Sequence, residues 1–571
     1  MQNINKLKIL SFHNSIESSV VYFENGAIKE AISEERFTRV KNYRGFPKKS
    51  IDYIFSKYNL NFNKLDFVIS GIIESKYPNQ KVKKKFDDKL KRILKGKKPE
   101  KYKKKFYDRI NTEIKWNQKY LNELISYSKK NDFFHKFILI DHHQSHAASA
   151  YFCSPFKNAK VFTFDGKGGF KSSSYFDAKN SYFVEKEFNT TFESLGYFYG
   201  NITKALGFKS ERHEGKITGL AAYGKKTKIL EYFKSFIKFN NGKINISLGD
   251  DYMPWFCNKK DLPNFYSKIS KYSKADVAYA AQYILEDIIC KYIKFNIKNK
   301  KNINICLAGG VFANVKLNQK IMEIKNVKNV YIQPAMSDSG LSIGSIYAFL
   351  NKKFSILPKF LDNVYLGSDT PSKFKISKSL KKNKIKYFKS KNISDVLIKE
   401  FKNKNIVGFF NGRMEFGPRS LCNRSILYHC RDKTINKWIN EKLHRTEFMP
   451  FAPVTIEELA PRCFKGWKKD HRCAEFMTMT YDCTSEFKKK CPAAVHIDGT
   501  ARPQIINKKN NIVMYKILKD YLKKTGDLAL INTSFNKHEE PIVENIEDAI
   551  LVFKKNVVDT LIIDDFVCKK R

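Results

Sequence analysis

Phe137-Ile138-Leu139-Ile140-Asp141-His142-His143-Gln144-Ser145-His146-Ala147-Ala148 reads as a strand that runs directly into a helix. The apolar run supplies the strand, and the small residues that continue through Ala150 supply the helix. Helix positions four apart share a face. His142 and His146 therefore aim two imidazoles at one point, while His143 points elsewhere. The spacing alone fits either an ordinary helix face or a metal site, and the rest of the chain decides between them.

The same alternation extends outward. Residues 161–164 read as a strand leading to Asp165-Gly166-Lys167-Gly168-Gly169. Residues 303–307 lead to Ala308-Gly309-Gly310 and a helix over 313–321. Residues 330–333 lead to Ala335-Met336-Ser337-Asp338-Ser339-Gly340 and a helix over 341–350. Near the N-terminus, residues 7–12 form a strand, and residues 19–23 and 28–33 flank Asn25-Gly26, a hairpin turn. Strand, glycine turn and helix in repetition predict an α/β fold whose strand-end loops are open to phosphate. The pattern weakens over residues 351–378 and restarts with a helix over 393–401 and a strand over 406–410. This divides the chain into residues 1–358 and 359–571.

The 571 residues carry a formal net charge of +49, which invites a nucleic-acid reading. Lys, Ile, Asn and Phe are abundant throughout, so compositional bias accounts for much of that charge. One dense basic run, residues 80–105, reads as solvated helices of an insertion, with an anionic partner or membrane surface as the alternative. RNA-binding aromatic signatures are absent. The 11 cysteines form no Cys-x-x-Cys pair, so buried free thiols are expected rather than a zinc ribbon or a disulfide framework. With neither a signal-peptide core nor an apolar run of spanning length, a soluble cytoplasmic protein is expected.

Chemistry concentrates in short motifs. Asp165 and Asp338, joined to His142 and His146, would make an N2O2 set suited to iron, zinc or manganese. Either carboxylate alone fits an Asp-Gly turn or a helix cap. Gly309-Gly310 before a helix and Glu214-Gly215-Lys216 before a small-residue run permit close approach to phosphate. In the second part, Arg419, Arg445 and Arg502 stand in Gly/Pro-rich loops, a setting that suits bidentate anion recognition. Asn532-Thr533-Ser534-Phe535-Asn536 offers amide and hydroxyl groups at the end of an apolar strand.

Taken in order, these motifs resemble the carbamoyltransferase family of nodulation protein NodU, cephem carbamoyltransferase and tobramycin carbamoyltransferase. The resemblance runs from His13 to Val543. It includes Ser33-Glu34-Glu35-Arg36-Phe37-Thr38-Arg39, Gly412-Arg413-Met414-Glu415-Phe416-Gly417-Pro418-Arg419 and the motifs above. It implies an actin/Hsp70-like ATPase superfold for the N-terminal domain, related to tRNA threonylcarbamoyl transferases, and a YrdC-like α/β C-terminal domain. It further implies that ATP and carbamoyl phosphate give carbamoyl-adenylate, whose carbamoyl group passes to a hydroxyl of a sugar, glycan or natural product. Carried over, the metal ligands are His142, His146, Asp165 and Asp338, with iron(II) as the ion. ATP and adenylate contacts are Arg39, Gly168, Gly169, Glu214, Lys216, Gly309, Gly310 and Asn314. Carbamoyl phosphate contacts are Arg419, Arg445, Arg502 and Asn532, and His13 is the acid/base group of transfer.

The chain departs from the family pattern at Met449, where many members carry arginine, and at Glu539, where many carry glycine. A tRNA threonylcarbamoyl-type transferase and a non-enzymatic basic nucleic-acid-binding protein are the rival readings. The first usually lacks the fused C-terminal part, and the second has only composition behind it. The expected partner is a small-molecule or glycan acceptor, with nucleic acid set aside and a homodimer left open.

Overall fold

The buried run Ile9, Leu10 and Phe12 places the first strand, β1 (Ile9–His13), inside a sheet. In the computed structural model, which describes residues 4–73, 75–298, 301–443 and 448–570, β1 pairs antiparallel with β2 (Ser19–Glu24). β3 (Ala27–Ser33) follows the Asn25-Gly26 turn, where φ is +54° and +69°, as a type I′ hairpin requires. On its other edge β1 pairs parallel with β4 (Phe67–Ser70), and β4 with β5 (Phe137–Leu139). The order is β3-β2-β1-β4-β5.

A second sheet repeats this plan. β6 (Asn158–Gly168), β7 (Lys171–Lys179) and β8 (Tyr182–Thr190) form an antiparallel meander. The hairpin β9 (Ile237–Asn240) and β10 (Lys243–Ile246) stands apart. β11 (Ile303–Ala308) and β12 (Val327–Ile332) then add in parallel to β6, giving β12-β11-β6-β7-β8. Each sheet thus has three meander strands followed by two parallel ones. This duplication agrees with the actin/Hsp70-like superfold, and the sequence shows no repeat that announces it.

Chain contacts divide the molecule into two units, one of Met1–Ser15, Ser19–Ile28 and Ile51–Phe360, the other of Ile16–Ser18, Lys29–Ser50 and Leu361–Arg571. The early segments belong with the second unit because they bond to it. Ala31 N donates to Leu366 O (2.9 Å), Arg36 Nη2 to Gly417 O (3.0 Å) and Arg413 Nη2 to Glu30 Oε2 (2.9 Å).

In the first unit the basic run of residues 80–105 forms α1 (Gln80–Leu94) and the start of α2 (Pro99–Lys130). These helices are only partly solvated. Val82, Phe86, Ile93, Tyr102 and Phe106 pack with Phe170, Phe188 and Phe192, and the lysines other than the buried Lys89 lie exposed or half-buried. α3 (His142–Phe152) and α7 (Leu341–Phe354) cross closely at Gly344, where a methyl group would fall 1.7 Å from Ser145 O. Between them in sequence lie α4 (Glu214–Leu220), α5 (Lys274–Ile297) and α6 (Val315–Met322).

The second unit is built on an eight-stranded mixed sheet. Among its strands are β13 (Arg424–His429), β14 (Ala452–Ile456), β15 (Gln504–Ile506) and β16 (Leu530–Ser534). The α/β class holds for both units. All eleven cysteines are free thiols, ten of them buried. Among the described residues no helix is long and apolar enough to cross a membrane.

Candidate active site

Asp141 starts α3 by accepting Gln144 N on its side chain (2.9 Å), which fixes the turn that carries both histidines. His142 Nε2 lies 3.4 Å and His146 Nε2 3.1 Å from Asp165 Oδ2. The same nitrogens lie 3.8 and 3.5 Å from Asp338 Oδ1. One ligand atom from each of the four residues falls within 4.8 Å of the others. Asp165 differs from its sequence reading. It lies inside β6, at a register shift between Phe164 and Gly168, rather than beyond the strand's end. The bulge turns its carboxylate toward α3. Asp338 opens the short turn after β12.

The electrostatics call for a cation. Burial and the neighbouring Asp338 charge both push the Asp165 carboxyl up, yet bonds from His142 and His146 hold it below its ordinary value. Burial also acts against the charged form of Asp338, and His13, His142 and His146 hold that carboxyl well below the usual range. Burial opposes a charge on His146, but bonds to both carboxylates raise it to about 9. Two facing, half-buried carboxylates need positive charge beside them. A proton on His146 supplies it in the protein alone, and a divalent transition metal fits the same four donors. His143 takes no part. Its Nδ1 pairs with Thr163 Oγ1 (2.8 Å), and burial with the His142 charge lowers it to about 3. Thr163 was missed from sequence, although it shares the Asp165 face of β6 by strand alternation.

His13 joins this group. It ends β1, is buried, and has Nε2 3.6 Å from Asp338 Oδ2. Asp338 thus presents one oxygen to the α3 histidines and the other to His13.

The glycines shape the cradle. A methyl group on Gly168 would sit 2.1 Å from His142 Cδ2, and one on Gly310 3.2 Å from Asp165 Oδ1. Gly309 has φ +104° and packs against the Phe164 carbonyl, a conformation closed to side chains. We expect Gly168→Ala to displace the His142 ring and cut metal affinity by ~10–100-fold, the cost typical of disturbing a ligand's support. Metal content after dialysis checks this, and unchanged retention would contradict it.

Of the other nucleotide candidates, Gly169 opens the β6–β7 turn at φ +61° with nothing within 4 Å of an added methyl. Lys216 is buried on α4. Asn314 is committed to scaffolding. Its Oδ1 caps α6 through Leu317 N (3.0 Å), and its Nδ2 donates to Gln282 Oε1 (2.8 Å). Tyr199 OH links that glutamine to Thr218 of α4, at 2.7 and 3.1 Å. Glu214 starts α4, and burial pushes its carboxyl up to about 7 from 4.5. Between those values the folded chain holds a proton that the unfolded chain has lost, so stability falls as pH rises through that window. Glu214→Gln is expected to remove that fall. Melting temperatures measured across pH check it, and parallel curves for the two proteins would contradict it.

In the second unit, Asn532 lies within β16, not at a strand end. Its Nδ2 donates to Gln504 Oε1 (2.6 Å) and Ser420 O (3.2 Å), and its Oδ1 is buried without a hydrogen-bond partner. These bonds gather three motifs, since Ser420 adjoins Arg419 and Gln504 follows Arg502 by two residues. Arg445 lies outside the described residues. Arg39, read as an adenylate ligand, belongs to this unit and is engaged there. It donates to Ile542 O (2.8 Å) and Pro541 O (2.7 Å) and pairs with Asp548 (3.2 Å).

Two family models match the chain, Carbamoyltransferase N-terminus over residues 7–347 and Carbamoyltransferase C-terminus over residues 398–570. An uncharacterized protein of Methanocaldococcus jannaschii is 33% identical, covering 99% of this chain and 100% of its own length. Nodulation protein NolO of Bradyrhizobium diazoefficiens is 30% identical over 76% of this chain and 79% of its own. Among solved structures, component A of (R)-2-hydroxyglutaryl-CoA dehydratase from Acidaminococcus fermentans aligns with a TM-score of 0.35 and 13% identity, over 61% of this chain and 99% of that one. At that score the superposition carries no fold assignment, and the fold class stands on sheet topology.

Proposed function

The chain belongs to the carbamoyltransferase family, and from that premise we propose that it is an ATP-dependent O-carbamoyltransferase acting on a hydroxyl of a sugar, glycan or natural product. The observation that carries the reading is the convergence of His13, His142, His146, Asp165 and Asp338 at one end of the first unit.

A carbamoyl group is a poor electrophile until it bears a good leaving group. The second unit binds carbamoyl phosphate through Arg419, Arg445 and Arg502, with the free Oδ1 of Asn532 accepting from the carbamoyl NH2. Water cleaves the acyl phosphate to carbamate and phosphate. A carbamate oxygen then displaces pyrophosphate at the α-phosphorus of ATP, giving carbamoyl-adenylate. Backbone N–H groups around Gly168, Gly169, Gly309 and Gly310 face the nucleotide phosphates, with Glu214 and Lys216 beside them. Arg39 would have to give up its bonds to Pro541 and Ile542 to reach the adenylate, so we assign it to holding that segment. A divalent metal, iron(II) in the family reading, held by His142, His146, Asp165 and Asp338 would supply fixed positive charge against the adenylate phosphate. His13 Nε2 takes the acceptor's proton as that oxygen bonds to the carbamoyl carbon and AMP leaves. Asp338 Oδ2, 3.6 Å from that nitrogen, offsets the charge the imidazole gains.

Incubation of the purified protein with ATP, carbamoyl phosphate and a panel of hydroxylated acceptors tests this reading. A mass gain of one carbamoyl group that requires both co-substrates is expected. A gain independent of ATP would contradict it.

A further inference from the structure

Helix α2, which continues from the basic run, passes the catalytic end of the first unit. Its buried face carries a polar stretch, Arg109, Glu113 and Asn117, between Tyr102 and Phe106 on one side and Leu121 and Leu124 on the other. The polar members differ in their partners. Arg109 Nε binds Glu113 Oε1 (2.8 Å), and Arg109 Nη2 donates to Tyr197 OH (3.2 Å). Asn117 is only 3% exposed, yet its Nδ2 has no hydrogen-bond partner.

A complementary orphan lies at the end of β1. Asn14, next to His13, is 4% exposed, and its Oδ1 has no hydrogen-bond partner. Two contacts bring α2 to the loops of the site. Ser15 Oγ donates to Tyr120 OH (3.4 Å), three residues along α2 from Asn117. Lys167, in the bulged end of β6 after Asp165, places Nζ 3.9 Å from the Trp116 ring centroid. A buried donor or acceptor left without a partner is costly, because it has given up its bonds to water. Here one amide offers the donor and the other the acceptor, and they do not bond each other. A hydroxyl both donates and accepts, so neutral hydroxyls complement the pair.

We propose that α2 forms the acceptor-side wall of the transfer site, and that Asn14 and Asn117 bind hydroxyls flanking the one that is carbamoylated. This selects a neutral polyhydroxylated acceptor and gives that helix a function in specificity. The inference rests on the hydroxyl-transfer reading above.

The test uses the full chain, with methyl glycopyranosides as acceptor probes and 1-propanol as the single-hydroxyl comparison. AMP release reports consumption of the adenylate, and carbamoyl phosphate-dependent ATP–pyrophosphate exchange reports its formation. Glycosides are expected to accelerate AMP release at lower concentration than propanol. Asn117→Leu and Asn14→Leu are each expected to raise the half-saturating glycoside concentration by roughly tenfold, the loss of one hydrogen bond with its partner left buried. Exchange should remain at the wild-type level. Asn14→Asp keeps the acceptor atom and Asn117→Ser keeps a donor, so both should recover most of the affinity. Glycosides no better than propanol, variants that saturate like the wild type, or loss of exchange in Asn117→Leu would each overturn the inference. Absence of exchange in the wild type would instead remove the underlying reading.

Discussion

His146→Ala is expected to empty the metal centre and stop carbamoyl transfer. The residue is buried, and its Nε2 lies 3.1 Å from Asp165 and 3.5 Å from Asp338. Alanine removes one of four donors and also an imidazole raised to hold a proton between the two carboxylates. The remaining carboxylates then repel each other in a buried site. Disturbing even a ligand's outer support typically costs ~10–100-fold in metal affinity, so loss of the ligand itself should cost at least about 100-fold. Metal analysis of wild type and variant gives a readout independent of turnover. About one ion per chain is expected in the wild type, as one such donor set predicts, and close to none in the variant. Full activity in metal-free wild-type protein would contradict the assignment.

Arg502→Ala and His13→Asn are expected to fail at different steps. Arg502 stands two residues before Gln504, which Asn532 ties to the Arg419 loop. Loss of a charge-assisted contact to a dianion should weaken carbamoyl phosphate binding by ~10–100-fold and suppress adenylate formation to match. His13 ends β1 in the other unit and faces Asp338 at 3.6 Å. Asparagine there removes the proton acceptor and should slow transfer by ~10²–10⁴-fold while adenylate still forms. Supplied carbamoyl-adenylate should rescue Arg502→Ala and leave His13→Asn slow. Failure of both variants at one step would show that activation and transfer are not divided between these residues.

Local signals were the most legible in the sequence. Helical spacing placed His142 and His146 on one face, and Asn25-Gly26 announced its hairpin, because each rests on contacts within a few residues. The position of Asp165 was read as a strand end because glycines usually break strands. Instead a bulge carries β6 on to Gly168. The apolar face of α1 was diluted by lysines at neighbouring positions, so a packed helix looked solvated. Asn314 had the expected helix-start position, but its pairing with Gln282 depends on a helix 32 residues away. The least legible features were long-range. The approach of His13 to Asp338 and the return of residues 29–50 to the second unit join segments more than 300 positions apart, and no periodicity encodes such contacts.

Exchange of radiolabelled pyrophosphate into ATP by the purified, metal-loaded protein tests the account most directly. Exchange that appears only when carbamoyl phosphate is present, persists in His13→Asn and falls ~10–100-fold in Arg502→Ala is the predicted result. Exchange that proceeds without carbamoyl phosphate, or none at all while acceptors are still carbamoylated, would contradict it.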